Sequence, residues 1–457
     1  MTTATPSSLS AGPFPGPTAL DMAKAFTKVR ADPLTFLGEV RDEFGDVAAF
    51  PVPGVPALLL SDPVDVRHVL QTSARQWTKD TVQYAALGRI TGNGLLASAE
   101  PSWMPHRRAA APAFHRQRLA VVSEQVVGAT DDALRAWDTG PLGGAREVEV
   151  SHLLAGLALD VVGRTLFGSD LSPHAGRLLD ATSEAAVLVV RAGRSIVPIP
   201  ARTPTPLNRR IRAARREFDA LSHLLIAERR RSTAGQATSG DDLLGLLLDG
   251  GLTDDEIRDE LVTMVIAGHE TVAAGLTWTL MLLAEHPAIQ EEVHEEAAGL
   301  TGPPPLMGAD AAAPVTRAVV DEALRLFPPA WAISRRSSLP DLIGGREVPA
   351  GTLAIISPYV LHRHPRLWDD PLAFRPSRFH DGIEQRGAYL PFGAGPRLCI
   401  GREFALAEMV VVLTRLLAGH QFTTPPGWTR PFAEARVALH PRGGMTLLVG
   451  GRGRTAS

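Results

Sequence analysis

The chain has 457 residues, of which 45% are hydrophobic, and a formal net charge of −3. A large buried core is within reach, and the near-neutral balance gives no sign of a nucleic-acid partner. One cysteine in the whole chain excludes an intramolecular disulfide and any multi-cysteine zinc or iron–sulfur site.

Residues 1–19 are rich in Ser, Thr, Pro and Gly and are expected to form a flexible N-terminal segment. They lack the basic start and apolar run of a signal peptide. No apolar run reaches the ~18 residues of a membrane span. Gly45 to Phe50 and Ala57 to Leu60 read as short strands around the turn Pro51 to Pro56. Asp62-Pro63 then opens a helix toward Leu70. From Pro101 to Ala298 the pattern is helical, with breaks at Gly140 to Gly144, Ile196 to Leu207 and Ser232 to Gly240. Asp241 is expected to start the helix after the last break. The basic clusters Arg209 to Arg216 and Arg229 to Arg231 read as solvated helix faces.

Thr253 and Glu256 form a capping-box signature for a long helix that runs to Glu285, ahead of His286-Pro287. Mid-helix lies Ala267-Gly268-His269-Glu270-Thr271. A glycine there costs up to ~1 kcal/mol relative to alanine, and a polar pair among apolar neighbours is costly when buried without partners. His269 is expected to be a helix-face residue. A further helix is predicted over Thr316 to Phe327, where Glu322 and Arg325 share a face. Short strands follow Pro328, among them Thr352 to Ile356. The breaks read as loops inside one domain spanning 20–457, mainly α-helical with small β-sheets.

The lone thiol sits in Phe392-Gly-Ala-Gly-Pro-Arg-Leu-Cys-Ile-Gly401. Glycines Gly393, Gly395 and Gly401 let backbone approach something large and flat. Arg397 can stabilise a thiolate, and a single thiolate suits one axial bond to haem iron. The segment resembles the haem-binding loop of the cytochrome P450 family, with Phe392, Gly395, Arg397, Cys399 and Gly401 at its fixed positions. Phe404, Ala405 and Glu408 continue the likeness.

The resemblance implies the single-domain cytochrome P450 fold and haem b, with the iron held by the Cys399 thiolate above a helix that begins at Arg402. Ala267 to Thr271 is similar to the family's oxygen-binding motif. Its small residues Ala267 and Gly268 would leave room for dioxygen, its threonine (Thr271) would hold dioxygen by a hydrogen bond, and its acid (Glu270) would pass protons from solvent. Val272 stands where many members carry a second hydroxyl. Glu322, Arg325 and Arg378 match the structural triad, with Ser377 replacing a more usual acid. Trp103 and Arg107 match a propionate-binding pair. Phe392 and Gly393 would line the haem, Arg397 would serve the propionates as well, and a further cation is expected from Arg335, favoured over Arg336 by its spacing to Gly344-Gly345.

These matches imply a bacterial monooxygenase, cytoplasmic and monomeric, that oxidises an apolar terpenoid, fatty acyl or polyketide-like molecule with O2 in secondary metabolism. Three lysines against dozens of arginines fit a GC-rich bacterial genome. The chain runs only about sixty residues past Cys399, so electrons are expected from a ferredoxin or flavodoxin and its NAD(P)H-dependent reductase. Arg108, Arg116, Arg118 and Arg402 are the expected docking residues. The substrate would meet residues Thr81 to Leu96, Val187 to Pro200, Met264 to Thr271, Ala330 to Ile333 and Gly443 to Met445. Two alternatives stand beside this reading: a peroxide-dependent or non-oxygenating haem-thiolate enzyme, and a haem-binding sensor without turnover.

Overall fold

A computed structural model describes residues 14–52, 55–137, 145–193, 200–302, 304, 309–380 and 387–452. Packing divides the chain into two units. One comprises Met1–Thr81, Trp331–Leu372 and Glu384–Leu398, and the other Val82–Ala330, Ala373–Ile383 and Cys399–Ser457. The break expected at Gly140 to Gly144 and part of that at Ile196 to Leu207 lie outside the described residues.

The first unit is built on a five-stranded sheet in the order Val47–Val52, Val55–Leu60, Leu353–Ile356, Ile333–Ser337, Trp77–Thr78. Only the pairing of Val55–Leu60 with Leu353–Ile356 is parallel. Ala48, Phe50, Ala57 and Leu59 alternate onto one face, where Phe36, Leu37 and Val40 of the helix Pro33–Phe44 cover them. That helix starts on Asp32, whose carboxylate accepts the Thr35 N–H at 3.1 Å, and stops at Gly45, whose φ of 91° suits glycine.

The strands reach further into the prolines than expected, and Pro51 lies opposite Pro56. The reason is position in the sheet. Val47–Val52 is an edge strand, and Leu353–Ile356 pairs only with 57–60, so neither proline breaks a three-strand ladder. The helix expected after Asp62 spans Pro63–Arg67 and continues as a wider turn through His68–Thr72. Of the segment 1–19 expected to be flexible, residues 1–13 lie outside the described residues. The remainder is tied down: the Pro15 carbonyl accepts from Ala49 N–H at 2.8 Å, and Thr18 caps the helix Ala19–Ala31.

The second unit is helical around the helix Asp254–Glu285, which begins with the expected capping box. The Glu256 N–H reaches Thr253 Oγ1 at 3.3 Å, and Thr253 N–H reaches Glu256 Oε2 at 2.8 Å. From Ile257 to Ala284 this helix is buried on nearly every side, its apolar residues spread around the axis and its polar ones Arg258, Glu260, His269 and Glu270 buried with them. It packs on the helices Val150–Leu166, Pro206–Ser232, Pro314–Leu326 and Arg402–Gly419. Trp278 at its centre stacks on Phe327 with ring centroids 4.1 Å apart. The indole N–H donates to Leu439 O at 2.8 Å, which satisfies the polar edge of a fully buried ring. A three-stranded sheet (Arg146–Glu149, Thr446–Gly451, His420–Thr423) and the hairpin Ala433–Ala435 with Leu439–Pro441 complete the unit.

Two expectations change here. The helix after the Ser232 to Gly240 break is capped by Asp242, not Asp241, and spans Leu243–Asp249. Arg229 is not a solvated cluster member. Its guanidinium grips both Asp242 oxygens at 2.7 and 2.8 Å and also donates to Phe167 O and Ser239 O. One aspartate therefore serves both as cap and as ion-pair partner.

Candidate active site

Phe392 to Arg397 and Arg335 belong to the first unit. The loop turns through Gly393 and Gly395, with φ of 71° and 70°. A Cβ on Gly395 would collide with the Leu70 carbonyl oxygen, so no other residue fits there. The loop's entry is fixed by a residue that sequence reasoning missed. Buried His362 accepts the Leu390 N–H on Nε2 at 2.8 Å and packs beside Tyr389 and Trp368. A helix pattern around His362 gives no hint of this, because Leu390 is distant in sequence. Arg335 is buried on its strand and donates to Ser334 O at 2.8 Å, whereas Arg336 is half-buried. Arg397 closes the short turn Gly395–Arg397, where Leu398 N–H bonds Gly395 O at 3.0 Å.

Cys399 begins the last segment of the second unit, and its thiol is exposed. The helix Arg402–Gly419 follows it. Gly401 has an ordinary φ of −90°, and a Cβ there would meet Phe114 at 3.5 Å, a normal contact. The protein's own packing thus does not require this glycine. Further along the helix, burial pushes the Glu408 carboxyl up to about 8, so it is protonated at neutral pH. Trp103 and Arg107 lie on the helix Trp103–Ala110, the indole buried and the guanidinium half-buried. Burial draws the Arg107 guanidinium below its ordinary range, while the charge of Cys399 acts in the opposite sense.

On the long helix, Thr271 Oγ1 donates to Ala267 O at 2.7 Å. Glu270 is buried, and its Oε1 lies 3.2 Å from Nε2 of His440, on the strand Leu439–Pro441. Sequence reasoning did not find His440. It stands 170 residues from Glu270 in a segment with no motif. Gly268 also serves packing. A Cβ there would come 3.0 Å from Val162 Cγ2, so its small size serves the crossing with the helix Val150–Leu166. His269 lies on a buried side of this helix, with Nδ1 bonded to the Val265 carbonyl, and burial lowers its basicity.

Glu322, Arg325 and Arg378 come together. Glu322 Oε2 accepts from Arg325 Nε at 2.6 Å, and Oε1 accepts from Arg325 Nη2 at 2.8 Å and Arg378 Nε at 3.1 Å. The Arg375 N–H adds a bond of 2.9 Å, and Arg325 also donates to Ala373 O. Among the docking candidates, Arg108 is exposed, Arg118 pairs with Asp241, and Arg402 lies 3.6 Å from Glu403. The Arg116 side chain lies outside the described residues.

The second unit alone offers donors that fit a haem: the exposed thiol of Cys399, the half-buried Arg107 cation, and a glycine at 401 that the protein itself does not demand. The family model described as Cytochrome P450 matches residues 14–448. The chain belongs to the cytochrome P450 family. It is 32% identical to cyclooctatin synthase of Streptomyces melanosporofaciens, over 95% of this chain and 93% of that protein. It is likewise 32% identical to pentalenene oxygenase of Streptomyces avermitilis, over 90% of this chain and 91% of that one. The crystal structure of CYP175A1 from Thermus thermophillus superposes with a TM-score of 0.76 at 30% identity, covering 95% of this chain and all of that one.

This P450 is therefore a mainly helical monooxygenase with haem as cofactor, its iron bound through a cysteine, and Cys399 is the only cysteine in the chain. It uses O2, an electron-transfer partner and an apolar substrate. No single helix among the described residues is long and apolar enough to cross a membrane.

Proposed function

We propose that this P450 hydroxylates a terpenoid hydrocarbon or alcohol, with electrons delivered by a ferredoxin or flavodoxin and its NAD(P)H-dependent reductase. The relatives carry this reading: cyclooctatin synthase, cyclooctat-9-en-7-ol 5-monooxygenase and pentalenene oxygenase align over most of the chain. Residues 20–457 act as one haem-holding domain in a cytoplasmic monomer. Trp103, Arg107, Arg335 and Arg397 would hold the propionates, with Phe392, Gly393 and Gly401 against the ring and Cys399 on the iron. When bound, haem supplies O2 activation, and the thiolate favours O–O cleavage.

The residues of the long helix supply protons and orientation. The side chain of His440 is 23% exposed, so it exchanges with solvent while touching Glu270 Oε1. The buried Glu270 carboxylate, next in sequence to Thr271, is thereby linked to a solvent-reaching imidazole. The Thr271 hydroxyl is parked on the Ala267 carbonyl and is freed by one χ1 rotation. Glu270→Gln is expected to lower product formation by roughly a hundredfold, in line with loss of a positioned proton donor. NADPH oxidation would fall less, and binding of the substrate would be unchanged. Equal product yield per NADPH in the variant would remove Glu270 from proton delivery.

The substrate class is tested by a Soret-shift titration against cyclic terpenes, terpene alcohols, fatty acids and macrolides, followed by product analysis with surrogate redox partners. A Soret shift on adding terpenes, with an oxygenated product, is expected. A response confined to fatty acids or macrolides refutes the terpenoid assignment.

A further inference from the structure

His106 sits between the two residues proposed to reach a propionate. On the helix Trp103–Ala110 it follows Trp103 by three positions and precedes Arg107 by one. Trp103, His106 and Ala110 are the buried face of that helix. His106 Nδ1 lies 2.7 Å from Oε1 of Glu260 on the long helix, and its Nε2 lies 3.6 Å from Glu256. The side chains of His106 and Glu260 are only 3% and 0% exposed. The same Glu260 oxygen accepts the Leu95 N–H at 3.0 Å. Oε2 of Glu260 is buried and has no partner among the described residues.

A carboxylate held this way is expensive unless a proton is kept beside it. One oxygen has two donors and the other has none. The shared proton with His106 is therefore the feature that makes the burial tolerable. Both groups are shifted in the direction this predicts: the hydrogen bond to Glu260 raises His106, and burial raises Glu260.

We propose that His106 is a positioning residue: its contact with Glu260 is a proton-dependent latch that fixes the Trp103–Ala110 helix on the long helix and so sets how firmly Arg107 holds haem. This rests on the reading above that Arg107 binds a propionate. The other charges around the pair are Glu256, which supports the proton on His106, and Asp259, which opposes ionisation of Glu260. Arg258 is engaged by Asp219 and Asp259. The neighbouring helix Leu243–Asp249 offers only Asp249, which accepts the Ser239 N–H.

The sign follows from proton uptake. With both groups raised, the folded pair binds more protons than the unfolded chain. Its contribution is complete below the ordinary carboxylate value and is lost as pH climbs through the raised value of His106. Haem release should therefore quicken on the alkaline side.

The test follows haem transfer from the holoprotein to apomyoglobin between about pH 6 and about pH 9, together with the ring ¹⁵N shifts of His106. Wild type is expected to release haem ~10-fold faster at the alkaline end. Glu260→Gln keeps the volume and an acceptor, and its release should be flat across the range, as should that of His106→Gln. Arg107→Ala should release haem faster at every pH, and adding His106→Gln to it should have little further effect. Variants at His106 and Glu260 that keep the wild-type rate and pH profile, while Arg107→Ala is fast, overturn the latch alone. Arg107→Ala with wild-type release overturns the placement of Arg107 on haem, and with it the route by which the latch would act.

Discussion

Arg325→Ala is expected to yield protein without haem. Arg325 and Glu322 are both fully buried, and the guanidinium holds both carboxylate oxygens as well as the Ala373 carbonyl. Removing one partner of such a pair leaves a buried charge, at a cost of about 3–5 kcal/mol, comparable to much of a domain's net stability. The damage lands on a specific place. Loss of Arg325 removes the bond to Ala373 and strips the counter-charge from the carboxylate that carries the Arg375 N–H and Arg378, so the 373–378 segment is held less firmly on the helix Pro314–Leu326. Arg325→Lys keeps the charge but loses the two-pronged geometry and should be intermediate. The measurement is the ratio of Soret to protein absorbance after purification, with thermal unfolding alongside. A full complement of haem in Arg325→Ala would show that the triad does not hold the haem-binding state.

Cys399→His should keep the fold and change the ligand. The thiol is exposed ahead of the helix Arg402–Gly419, so an imidazole fits there without displacing the core. The ferrous–CO complex is expected to lose its red-shifted thiolate-type Soret band and gain a histidine-type one. Product formation should fall to background, because the thiolate's electron donation is gone. Since no second cysteine exists, no other thiol in the chain can substitute. A thiolate-type spectrum surviving in the variant would overturn the assignment of Cys399.

What could be read in the sequence was local. Thr253 with Glu256 and Asp62 with Pro63 announce helix starts because a cap is settled within four residues. The cysteine loop was legible because its glycines obey a backbone demand, as the Gly395 approach to Leu70 shows. What stayed hidden depended on partners far along the chain. His440 meets Glu270, His362 meets Leu390, and His106 meets Glu260, and none of the three has a signature in its own neighbourhood. Gly268 was legible as special, but its approach to Val162 on the packed helix Val150–Leu166 was not. Pro51 looked like the end of a strand because edge position cannot be seen from one segment.

The grip of Arg229 on Asp242, Ser239 and Phe167 reaches beyond stability. It pins both ends of the stretch between the helix Pro206–Ser232 and the helix Leu243–Asp249. A loop with anchored ends tolerates changes in its contour, and doubling its length costs only about 0.6 kcal/mol in closure entropy. Residues 234–238, exposed for the most part, are thus a natural port for a fluorophore, an affinity tag or a tethered reductase. Protein engineers could lengthen the chain there and leave the catalytic helices undisturbed.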